Sequence, residues 1–119
     1  MPNGFHDASI LTISLDLVSA EAQLAMRFSV GDPDAPTKAG QNATRRGRLR
    51  LRGLVSATVE PPDPRYRVAT DRGAAVDGDF GSYPSDPAPP NDGLVRLWFY
   101  VSTWNSRLLF TAKSCELEW

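Results

Sequence analysis

Four arginines, Arg46, Arg48, Arg50 and Arg52, recur at every second position of the chain. Alternate residues of an extended strand share a face, so this spacing lines four guanidinium groups along one side. Guanidinium forks bond carboxylates and phosphates, which makes the stripe a candidate surface for an anionic partner. The other parity, Leu49 and Leu51, claims the core and leaves the arginines outside. Bases are gripped by stacking, and no aromatic residue interleaves the stripe. That disfavours nucleic acid and favours an acidic protein. The structural alternative is a solvated face neutralised across strands by residues such as Asp16, Glu116 or Glu118. Buried, the four guanidinium groups would each need a partner, and few acids stand at matching spacing.

The remaining reactive residues are sparse. His6 beside Asp7 has the makings of an acid–base pair or half a metal site. A metal wants three or four ligands, and the chain has one His and one Cys. A tight turn, with Asp7 accepting backbone N–H groups, accounts for the pair more simply. Asp32 and Asp34, Asp77 and Asp79, and Asp86 and Asp92 sit among Gly and Pro, where Asp is ordinary turn chemistry; no calcium-loop spacing is present. No nucleophile-elbow pattern surrounds any serine. The sequence therefore assigns no catalytic residue, metal or cofactor, and points away from an enzyme. Trp104, in a turn, and Tyr83, in a Pro-rich loop, are candidate contact residues, since aromatics at loop tips anchor interfaces or stack on sugars. Cys115 reads as a structural thiol.

The elements that would carry these residues are strands. Leu94 to Trp119 is the most apolar stretch: a strand over 94–102 apolar on both faces, a turn at Ser102–Ser106, and a strand over 107–118. An apolar parity running through Leu108, Phe110 and Ala112 gives way to Cys115 and Leu117, which predicts a bulge near Lys113-Ser114. Upstream, alternation predicts strands over 9–17, with Leu11, Ile13, Leu15 and Leu17 inward, and over 22–30, with Leu24, Met26, Phe28 and Val30 inward. Gly31 to Thr44 reads as a loop and 46–59 as the arginine strand, with a bulge or close backbone approach at Gly53. Tyr66 to Thr70 and Ala74 to Phe80 read as short strands, and Gly81 to Asp92 as a surface loop. Many short strands and no long amphipathic helix predict one all-β domain over 1–119, a small antiparallel β-sandwich or half-open barrel of about 6–8 strands.

The totals fit. The chain has 119 residues, 41% hydrophobic and 23% charged, with net charge −1. That excludes global disorder and a whole-protein field for nucleic acid or anionic membrane. One cysteine permits no intrachain disulfide. No apolar run reaches the roughly 20 residues of a membrane helix. No basic-then-apolar leader opens the chain, so a cytoplasmic location is expected.

The opening His6-Asp7-Ala8 with Ile10, Leu11 and Ser14, the Arg/Leu strand ending Gly53-Leu54-Val55, and the late Leu108-x-Phe110-x-Ala112-Lys113 strand form an ordered pattern. It resembles a group of small bacterial all-β families, uncharacterised or assigned as toxin-immunity proteins, that open with HD-S/A-x-L and close with L-x-I-x-A. The resemblance implies a bacterial β-domain that works by binding another protein, with toxin neutralisation as one form. A carbohydrate-binding module using Trp104 and Tyr83, or a hydrolase around His6, are the alternatives from other classes.

Overall fold

The computed structural model describes residues 5–32, 34–41, 43–61, 63, 65, 73–88 and 90–119. Among these residues lie six strands, β1 (Ala8–Asp16), β2 (Glu21–Ser29), β3 (Thr44–Val59), β4 (Ala74–Phe80), β5 (Val95–Val101) and β6 (Ser106–Glu118), and one short helix, α1 (Lys38–Gln41). All neighbours pair antiparallel, in the order β1-β2-β3-β6-β5-β4, and β4 returns to β1. The expected all-β class therefore holds, but the sheet is a closed ring rather than a sandwich or a half-open barrel. Closure comes from two long strands. β6 pairs with β3 along nearly its whole length and with β5 only through its first half. The short strand predicted over 66–70 lies outside the described residues.

One face of each strand fills the ring. Leu24, Met26 and Phe28 of β2, Leu49 and Leu51 of β3, Leu97, Phe99 and Val101 of β5, and Leu108 and Phe110 of β6 are all buried. Phe5, just before β1, closes the cluster, with its ring 5.1 Å from Phe99 and 6.2 Å from Phe28. Burying a side chain of this size contributes about 1.5–3 kcal/mol, so Phe5 is part of the core although no periodicity marks it.

Two register details depart from simple alternation. In β1 the pairing with β2 slips between Ile10 and Thr12. The slip puts Ile10 inside and hands the inner face on to Ile13, opposite Leu24. Leu11 consequently does not share a face with Ile13, as strict alternation predicts, and Leu15 and Leu17 are exposed. In the β3–β6 ladder the slip falls between Leu54 and Ser56, not at Lys113-Ser114, where the register runs unbroken. Gly53 stands beside it at φ 64°, and a Cβ there would meet the Lys113 side chain at 2.7 Å. The bulge expected near Gly53 thus lies just beyond it, and the inward parity of β6 passes from Ala112 to Cys115 across the facing stretch.

Candidate arginine face

β3 holds Arg48, Arg50 and Arg52 between β2 and β6, so each of these faces a residue on either side, whereas Arg46 faces β2 alone. Arg52 lies opposite Glu21, Arg50 opposite Gln23 and Glu116, Arg48 opposite Ala25 and Glu118, and Arg46 opposite Arg27. The stripe is divided by this register. Arg50 Nη1 stands 3.4 Å from Glu118 Oε1, and Arg52 reaches Glu21 at 3.6 Å and Glu116 at 3.7 Å. Glu116 and Glu118, two of the acids expected to neutralise the face across strands, thus do so with Glu21 for half of the ladder. Asp16, expected among them, instead accepts the N–H groups of Val18 and Ser19 in the β1–β2 turn. Those bonds, Ser19 first, hold its carboxyl below the usual range.

The other half is left bare. Among the described residues no carboxylate pairs with Arg27, Arg46 or Arg48. Glu118, opposite Arg48 in register, makes its ion pair with Arg50. Arg27 and Arg46 face each other directly. Like charges directly opposite in a sheet are destabilising, by about the 0.2–1 kcal/mol that an opposite pair would contribute. Arg46 and Arg48 flank a shallow cleft of about 390 Å3 also lined by Leu11, Ala25, Glu118 and Trp119. Arg27 is the residue that sequence reasoning missed. Its place on the outer parity of β2 was visible; its position opposite Arg46 needed the register.

Trp119 borders this face without offering a stacking platform. Its ring meets Phe28 edge-on at 5.3 Å, and the Arg45 guanidinium lies 4.4 Å above it. Gly47 leaves room for it, since a Cβ there would come within 3.0 Å of Trp119 Cε3.

The other sequence candidates are scattered. Tyr83 is half-buried and meets Trp98 at 5.4 Å and 82°, with Arg107 at 5.1 Å from its ring. Trp104 is half-buried against the core. Neither pairing gives the coplanar exposed rings that a sugar platform uses. His6 is exposed, with Nε2 3.4 Å from Asp7 and Nδ1 3.7 Å from Asp77. Neither the arginine cleft nor a second cleft of about 540 Å3, lined by Phe80, Leu94, Val95 and Cys115 among others, includes His6. Burial, then Glu116, pushes the Cys115 thiol up, away from the thiolate that a nucleophile needs. Among the described residues no three His, Cys, Asp or Glu are grouped to hold a metal. Among them, too, no helix is long and apolar enough to cross a membrane. Compared with known proteins, the chain matches no family model, no curated protein and no solved structure.

Proposed function

We propose that this barrel is a binding protein that recognises an acidic protein surface through Arg27, Arg46 and Arg48. The observation that carries the reading is the Arg27–Arg46 pair. The same ladder neutralises Arg50 and Arg52 with three glutamates, yet at Arg46, four residues before Arg50, sets two arginines opposite each other. A chain folding only for stability gains nothing from that arrangement, whereas a carboxylate-bearing partner supplies the missing charge. Arg45 already covers one face of Trp119, which favours a protein over the stacked bases of a nucleic acid. A toxin-neutralising role in a bacterium is the finer form of the proposal and rests on the sequence resemblance.

A short oligoglutamate peptide serves as probe, with a single-stranded oligonucleotide and a soluble oligosaccharide as controls. The peptide should bind, more tightly at low salt, because a Debye length of about 10 Å at 0.1 M screens exposed charge. Arg27→Glu with Arg48→Glu should abolish that binding. Equal or tighter binding of either control, or binding indifferent to these changes, contradicts the proposal.

A further inference from the structure

The far half of β3 poses a separate question. β2 begins opposite Arg52, and the last bond to that side is Leu54 N–H to the carbonyl of Ala20, at 2.8 Å. Beyond it, Val55 sits in the bulge and residues 56–59 pair only with β6 among the described residues. Every one of the five is exposed. Backbone groups of a strand alternate in direction, so among the described residues this segment has N–H and C=O groups along one edge with no strand partner. Natural edges are commonly blunted by lysine, proline or inward charge. Val55-Ser56-Ala57-Thr58-Val59 carries no lysine, proline or charge, and its one irregularity is the bulge at Val55.

The segment is also nearly palindromic. An antiparallel pairing of two copies about Ala57 sets Val55 against Val59 of the second copy and Ser56 against its Thr58. Valine meets valine and hydroxyl meets hydroxyl, pairings that favour adjacent strands. No charge is present to repel its own image. Exposed apolar side chains flank the edge: Val55 is 58% and Val59 45% accessible, and the β1–β2 turn bonded to Leu54 carries Leu17 at 85% and Val18 at 99%. A patch of this kind on a surface marks an interface.

We infer that residues 55–59 form a self-recognition edge, through which two copies of this chain join their barrels by two-fold antiparallel strand pairing. The contact is isologous and closes on itself, so it yields a dimer rather than a fibre. It lies at the end of β3 opposite to Arg46 and leaves the arginine face open on each copy.

Ala57 would lie on the two-fold axis, which makes it the position to test. The measurement is mass by sedimentation equilibrium across a concentration series, beside circular dichroism to confirm folding. The wild-type mass should rise with concentration from 13.0 kDa to twice that value. Ala57→Lys and Ala57→Glu, each placing like charges face to face, should each remain at the monomer mass. An equimolar mixture of the two should recover the doubled mass, because the axis then joins opposite charges; neither folding failure nor general surface change produces that rescue. A wild type that stays monomeric throughout, a dimer unaffected by either substitution, or a mixture that stays monomeric would overturn the inference.

Discussion

Arg46 and Arg50 are four residues apart on one face and stand in opposite electrostatic settings. Arg50 lies within reach of Glu118, directly opposite Glu116, and is about a quarter exposed, 24%. Its Nε is buried without a partner, so the position depends on the glutamates around it. Arg50→Glu brings a third acid against them and should lower stability by about 1 kcal/mol, the scale of lost opposite-charge and gained like-charge cross-strand pairs. Arg46→Glu does the reverse. It converts an Arg–Arg pair into an Arg–Glu pair and should raise stability by about 0.2–1 kcal/mol. Urea midpoints of the two variants read both effects. If Arg46→Glu destabilised the fold as much as Arg50→Glu, the bare half of the ladder would be structural. Composition and parity alone showed that these arginines face outward. They could not show which ones are neutralised, because that depends on partners from two other strands, one of them more than sixty residues away in sequence (roughly the span from Arg50 to Glu116).

At the scale of elements, alternation placed five of the six strands nearly where they lie, and the sixth, β4, as a short strand with the same limits. What it could not place were the slips. A strand reads as one parity until an extra residue moves the pattern, and in β1 the apolar run Ile10-Leu11 fits either side of such a slip. Nor does alternation separate two packed sheets from one rolled sheet, since both bury one face; closure depended on the unequal reach of β3 and β6. β4 offers the sharpest local test. Gly78 lies opposite Phe99, and a Cβ there would stand 2.4 Å from the Trp98 carbonyl oxygen and 2.7 Å from the Phe99 ring. A backbone oxygen cannot step aside as a side chain can. Gly78→Ala should therefore destabilise by about 1–3 kcal/mol, the usual cost of overpacking. A thermal melt unchanged by this substitution would mean that β4 does not approach β5 as described.

For the whole molecule, acid is the condition that should undo the fold by stages. The Arg96 fork holds Asp92, at 2.6 Å and 3.0 Å, and keeps its carboxyl well below the usual 3.8. Arg107 donates its backbone N–H to Glu60 at 2.6 Å, which with its guanidinium lowers Glu60 from 4.5. Both groups have folded values depressed below their unfolded ones. Their contribution is fully present above the unfolded values and is lost as pH falls through the folded ones. Melting temperature should hold steady from neutral pH to about 5 and decline below that, and Glu60→Gln should blunt the decline. A steady loss between pH 8 and 6 instead would assign the pH dependence to other groups. Where an acidic partner binds can be read residue by residue by nuclear magnetic resonance of isotope-labelled protein titrated with oligoglutamate. Shifts should concentrate on Arg27, Arg46, Arg48 and their neighbours on β2, β3 and β6, and should shrink as salt is added. Shifts centred instead on His6, on the second cleft or evenly over the barrel would contradict the proposal.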